Sequence, residues 1–180
     1  MLGRIMTVAA LAAGGVLLSK KMKGTGGSGR ASSVRAEIEV DVPVSTAYNQ
    51  WTQFEEFPRF MKGVKEVRQL DDEHLHWRAK VAGKEKEWDA EITDQVPDQR
   101  IAWHSTTGPL NAGEVRFEKL GETRTRVVLE MTYAPESLDE RIGDALGAVK
   151  LQAQTNLKNF KDLIENRGVE TGAWRGTVQH

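Results

Sequence analysis

From Val34 to Val42 apolar residues hold every second position, with Val34, Ala36, Ile38, Val40 and Val42 alternating against Arg35, Glu37, Glu39 and Asp41. A period of two predicts a strand with one buried face and one wet face. Pro43 ends it, and Ser45 is placed to cap a short helix over Thr46–Thr52. Phe54–Met61 reads as a second short helix, with Pro58 in its first turn and Gly63 beyond its end. From Val64 to Tyr133 the period returns to two. Turn signals cut it at Asp71-Asp72, Gly83-Lys84, Pro97-Asp98, Gly108-Pro109 with Asn111 and Gly113, and Gly121-Glu122. Six strands joined by short connections form an antiparallel meander. Ser137-x-x-Glu140 is a capping box, and behind it Leu138, Ile142, Leu146, Val149, Ala153, Leu157, Phe160 and Ile164 recur at helical spacing as one apolar stripe.

The predicted order is strand, two short helices, six strands, one long helix. Seven strands need their apolar face covered, and one long helix is available to cover it. The economical solution is a strongly curved antiparallel sheet wrapped around the C-terminal helix. A sheet bent around a helix leaves space wherever side chains do not fill it, and such a space is a natural ligand site.

Composition agrees with one soluble α+β domain: 180 residues, 39% of them hydrophobic, are enough for a core. The net charge of −1 averages two unlike parts. Residues 1–30 carry Arg4, Lys20, Lys21, Lys23 and Arg30 with no acid, leaving 20 basic and 26 acidic side chains after them, a net of −6. An acidic domain does not attract a phosphate backbone, so no nucleic-acid partner is expected. The absence of cysteine excludes disulfides, thiolate metal sites and a cysteine nucleophile.

The basic end brackets a 15-residue uncharged run, Ile5–Ser19. As a helix it is about 22 Å long, against a hydrocarbon core of about 30 Å, so it reaches across only a thin or compressed bilayer. A cleaved secretory leader is the rival reading, although lysines stand where the cleavage site belongs. The reading adopted is a membrane anchor over residues 5–19, with the lysine side and the domain in the cytoplasm; a secreted or free cytosolic domain is the alternative. The expected organisation is a leader or anchor over 1–23, a Gly/Ser linker over 24–33, the folded domain over 34–167 and a flexible tail over 168–180. Gly24, Gly26 and Gly29 match a dinucleotide fingerprint in spacing, but no strand precedes them and no amphipathic helix follows. No cofactor is expected.

Several local motifs occur in register along the domain. They are Val42-Pro43 with Ala47-Tyr48 and Trp51, Phe54-Glu55-x-Phe57-Pro58-x-Phe60-Met61, His76-Trp77, and Glu87-Trp88-Asp89-Ala90-Glu91-Ile92. Further on stand Pro97-Asp98-x-Arg100-Ile101-Ala102-Trp103, Asn111-x-Gly113-x-Val115-x-Phe117, Thr125-Arg126-Val127 and Tyr133-x-Pro135. Over Val34–Asn166 the chain resembles the START-like, helix-grip (SRPBCC) superfamily, in particular its polyketide cyclase/dehydrase and coenzyme Q-binding branch. Where that family often carries Pro and Gly after Tyr-x-Pro, Glu136-Ser137 stands here. The resemblance implies a helix-grip fold and a cavity for a hydrophobic small molecule such as a lipid, a quinone or a polyketide.

Trp77, Trp88 and Trp103 fall at inward positions on three successive strands, suited either to sheet core or to a mixed apolar and polar cavity. With Phe117, Met131, Leu146 and Val149 they are the candidate cavity residues. Ser105 and Tyr133 join them as hydroxyls on otherwise apolar faces. No base stands beside either in sequence, and the G-x-S-x-G and P-loop patterns are absent; no catalytic residue is assigned. Asn111, Gly113 and Arg116 belong to a hairpin at the expected rim. Asp89 and Glu91 alternate with Trp88, Ala90 and Ile92 and so point outward. His74, His76 and His104 lie on the face opposite the apolar one, lack a convergent third and fourth ligand in the pattern, and read as surface residues rather than a metal site. The expected function is non-enzymatic binding or carriage of a hydrophobic small molecule near a membrane. An aromatase/cyclase or dehydratase is the alternative, and an interaction module with a self-filled cavity is the third possibility.

Overall fold

The computed structural model describes residues 32–81, 83–134 and 142–180, with residues 142–146 described by backbone alone. The leader and anchor expected over 1–23, linker residues 24–31, the Ser137–Glu140 capping box and the Leu138 and Leu146 side chains lie outside the described residues. Among the described residues no helix is long and apolar enough to cross a membrane.

Strand β1 (Ser32–Val40) leads through helix α1 (Val44–Trp51) and a 3-10 turn (Phe54–Arg59) into β2 (Val64–Gln69), β3 (His74–Val81), β4 (Lys84–Val96), β5 (Arg100–Ser105), β6 (Leu110–Gly121) and β7 (Arg124–Ala134). Helix α2 (Ile142–Arg167) and a two-residue strand β8 (Val178–Gln179) complete the chain. The sheet order is β1-β7-β6-β5-β4-β3-β2, and every pairing is antiparallel. The six-strand meander is therefore present, with β1 closing beside β7. Register changes between Val64 and Glu66, Ile92 and Asp94, and Lys119 and Gly121 insert bulges into β2, β4 and β6. Bulges bend and twist the strand that holds them, which gives the sheet its curvature.

The helix grips the concave face by one end. Ala153, Leu157, Phe160 and Ile164 are buried at three- and four-residue spacing. Phe160 meets Trp51 at 5.0 Å and Phe60 at 5.3 Å between ring centroids. Polar contacts fix the same end: Lys161 Nζ donates to the Glu39 carbonyl (2.7 Å), Glu165 accepts the Asp41 N–H (2.8 Å), and Asn159 donates to the Phe60 carbonyl (2.9 Å). Nearer its start, Gly147, Ala148, Lys150, Leu151 and Gln152 are exposed and only Val149 turns partly inward.

Some local expectations are corrected. Helix α1 begins at Val44 behind Pro43, and Ser45 forms no side-chain cap, because the fixed φ of proline already sets the entry to the helix. Pro58 lies near the end of the 3-10 turn rather than in a first turn. Strand β6 starts at Leu110, so Asn111 and Gly113 are ladder residues, and the turn is confined to the residues before them.

The largest difference is the tail over 168–180, expected to fray or to dock loosely and held here by specific contacts. Gly168 takes a positive φ of 73° and turns the chain back along α1. Gln50, fully buried, accepts from Thr171 N (3.0 Å) and Arg167 Nη1 (3.1 Å) and donates to Glu56 (2.9 Å). Thr52 Oγ1 accepts the Trp174 N–H (3.2 Å), and the Tyr48 hydroxyl donates to the Trp174 carbonyl (3.2 Å) while accepting from Gln95 (3.0 Å). Burial pushes the Tyr48 hydroxyl above its ordinary pKa and keeps it a donor. Arg175 forks onto Asp98 with two bonds of 2.8 Å and also donates to Asn49 (2.8 Å), after which β8 pairs with β4. Helix α1 buries Asn49, Gln50 and Thr52, and buried polar groups require partners; the returning segment supplies them. Gln50→Leu leaves the Thr171 N–H unmatched and removes one of the two acceptors of Arg167 Nη1, the other being Glu56. It is expected to lower stability by about 1–3 kcal/mol in urea unfolding and to speed amide exchange across 168–180; unchanged exchange there would contradict this account.

Candidate ligand cavity

Where α2 lifts away from the sheet, a cavity of about 240 Å³ opens between them. Its floor is the concave face: Leu75, Trp77 and Ala79 of β3, Trp88 of β4, Ile101 and Trp103 of β5, and Leu129, Met131 and Tyr133 of β7. Val149 and Ala153 form the roof, and Trp51, Phe54, Phe57 and Met61 close one side. Lys62, Lys80, Gln152 and Asn156 stand among the polar residues of its lining. Gln152 also donates to the Lys62 carbonyl (2.7 Å) and to Asn156 (2.8 Å), tying the helix to the loop before β2.

The tryptophans are held by specific neighbours. Trp77 and Trp88 are cross-strand partners whose rings stack 5.8 Å apart at 4°. Trp77 Nε1 is buried without a hydrogen-bond partner. Trp103 donates from Nε1 to Asn111 Oδ1 at 3.1 Å, across from Gly113. A Cβ on Gly113 would meet Trp103 Cζ2 at 2.8 Å and would also collide with the Glu130 carbonyl. Gly113 is thus required by the close approach of the indole, an aromatic ring covering a glycine on the neighbouring strand.

Of the candidate residues read from the sequence, Trp77, Trp88, Trp103, Met131, Tyr133 and Val149 line the cavity. Phe117 does not. It packs in the core, 5.6 Å from Tyr48 and 6.2 Å from Trp51, because α1 covers that part of β6. Ser105 is likewise outside the lining. Its hydroxyl donates to the Pro109 carbonyl (2.9 Å) and accepts the Asn111 N–H (3.0 Å), closing the β5–β6 turn. The Leu146 side chain lies outside the described residues. Phe54, Phe57, Met61 and Ala153 line the cavity in addition to the residues expected from the sequence. Ala153 carried a signal, one turn beyond Val149 on the same stripe; the Phe54–Met61 segment carried none beyond its aromatic density.

Among the described residues no Asp, Glu or His contributes to the lining. Asp89 and Glu91 are on the outer face as expected. His76, expected in solvent, is half-buried there against Asp89 Oδ1 at 2.7 Å, and the imidazole holds the Asp89 carboxyl below its usual range.

A curved antiparallel sheet around one helix, with an apolar cavity between them, defines a helix-grip ligand-binding protein. Residues 40–161 match the family described as polyketide cyclase / dehydrase and lipid transport, and the chain belongs to that family. It is 52% identical over 148 residues to an uncharacterized 17.2 kDa protein of Streptomyces lincolnensis, covering 82% of this chain and 99% of that one. A solved structure from Deinococcus radiodurans is similar at 28% identity and a TM-score of 0.60, covering 76% of this chain and 99% of that one. The Zhui aromatase/cyclase from a Streptomyces species shares the fold at 16% identity and a TM-score of 0.66, covering 81% of this chain and 100% of that one.

Gly113→Ala is expected to displace the Trp103 indole and cost about 1–3 kcal/mol. The checks are near-ultraviolet circular dichroism and urea unfolding; a variant indistinguishable from the parent in both would refute the required close approach.

Proposed function

We propose that the domain binds and carries one hydrophobic small molecule of the lipid, quinone or polyketide class in the cavity under α2, without transforming it. The observation that carries this reading is the lining itself. It is largely apolar, aromatic on four strands, and free among the described residues of the carboxylates and imidazoles that most often move protons in catalysis. Trp77, Trp88, Trp103, Met131, Tyr133 and Val149 would contact the ligand. Apolar burial would supply the affinity, and the few polar groups would set orientation.

Native mass spectrometry of gently purified protein is expected to show a co-purifying apolar molecule, and saturating apolar ligand to quench tryptophan emission. Val149→Trp, which fills the cavity from its roof, should abolish that quenching while leaving the domain folded. No saturable response across quinones, fatty acids and sterols would defeat the carrier reading.

One feature favours a cyclase or dehydratase as the second reading: Tyr133 places a hydroxyl in the lining. Under it Tyr133 would move the proton, and Tyr133→Phe would eliminate turnover of a polyketide-like substrate while sparing binding. The carrier reading expects no turnover in either protein.

A membrane reservoir suits a poorly soluble ligand, and tethering beside it raises the local concentration that the cavity meets. Residues 5–19 are the proposed tether, with the domain on the cytoplasmic side. Deleting residues 1–23 is expected to move the protein from the membrane fraction to the soluble one; unchanged fractionation would reject the tether.

A further inference from the structure

The outer face of the sheet is a field of ion pairs in which carboxylates meet guanidinium groups. Glu39 faces Arg124 and Arg126, Glu114 faces Arg116, Glu118 faces Arg126, and Glu130 faces Arg35 and Arg116. Glu73 and Glu91 depart from that pattern. Among the described residues their ion-pair partners are imidazoles alone.

Three segments bring these groups to one place. Glu91 sits within β4, and its neighbour across the ladder on β5 is His104, with 3.6 Å from His104 Nε2 to Glu91 Oε2. Glu73 stands just before β3, its carbonyl accepting the Ile92 N–H at 2.7 Å, so its backbone is fixed to β4. His180 follows β8, which the Asp94–Gln179 pairing holds against β4. His180 Nε2 lies 3.6 Å from Glu73 Oε2 and 3.9 Å from Glu91 Oε1, and one donor atom from each of these three residues lies within 4.8 Å of the others. His74 is also beside Glu91 on the ladder, but its Nδ1 is engaged by Asp71 at 2.9 Å.

We propose that Glu73, Glu91 and His180 form a site for a divalent transition metal of the zinc type on the outer face of the sheet. Two carboxylates facing each other favour a cation, and the His180 imidazole selects against magnesium and calcium, which take oxygen ligands. Bonds of about 2.0–2.2 Å around a tetrahedral ion set donors about 3.3–3.5 Å apart. The observed 3.6 and 3.9 Å lie within a small side-chain adjustment of that. The side chains are 28–49% exposed, open to an ion arriving from solvent. Glu73, Glu91 and His180 supply three protein donors, and water would take the fourth position of a tetrahedral ion. The ion would staple the residue after β8 to β4 and to the residue before β3, fastening the returning C-terminal segment whose inner contacts satisfy α1.

The test is calorimetric titration of the full-length chain, free of any oligohistidine tag, with Zn²⁺. The expected result is saturable binding of one equivalent, undiminished by excess Mg²⁺. His180→Ala and Glu91→Gln should each weaken it at least about tenfold, whereas His76→Gln, which removes an imidazole outside the cluster, should leave it intact. Zn²⁺ should raise the melting temperature of the parent and not that of His180→Ala. His180→Ala alters an exposed side chain beyond the last strand, and metal-free melting curves verify that each variant is folded. Absence of saturable binding to the parent, or binding unaffected by both His180→Ala and Glu91→Gln, would overturn the site.

Discussion

Phe160 sits against Trp51 and Phe60, with Phe57 and Phe117 packed against the same tryptophan. Edge-to-face and tilted aromatic contacts of this kind hold ring orientation as well as burying area. They join α1, the 3-10 turn, β6 and α2 at one end of the molecule. With that end fixed, the opposite end of α2 needs no close contact with the sheet. The cavity exists because the helix is anchored at one end, and because the bulged strands curve away beneath its free portion. A uniformly packed helix over a flat sheet would have no such space.

The two faces of the sheet divide the work. The inner face is apolar and aromatic, and its variation along the strands decides where core ends and cavity begins. Phe117 and Trp103 illustrate this. Both are aromatic and inward, but Phe117 lies under α1 while Trp103 lies beyond its reach, facing Gly113. The outer face is charged and largely self-neutralising, with arginine and glutamate side chains linking β1, β7 and β6. Exposed pairs of this kind add little stability individually, but they keep the edge strand β1 charged and unattractive to another chain's edge.

Much of the fold was legible in the sequence because its signals are periodic. Val34–Val42 alternates strictly, the strands after Val64 keep a period close to two, and the α2 stripe repeats every three or four residues, so element type and order follow directly. What periodicity does not encode is which distant group satisfies a buried polar atom. Gln50 reads as an ordinary helix residue until Thr171 and Arg167 are seen to meet it. Likewise Gly113 resembles a turn glycine until Trp103 is found across the ladder. Six of the nine proposed cavity residues line it, since inward parity was readable. Ser105 and Phe117 depart because parity gives the face and not the position along it.

The returning C-terminal segment also bears on how the chain is made. Several groups near positions 50 and 95 take partners among residues 171–179. During synthesis α1 and β4 emerge from the ribosome long before the groups that complete them. Until residues 171–174 arrive, Gln50 and Thr52 keep part of their hydrogen-bonding capacity for water, and α1 cannot bury them at full advantage. Completion of the domain is therefore a late event that waits for residues 168–180, and a chain lacking that stretch would keep strands β1–β7 without the closure of α1.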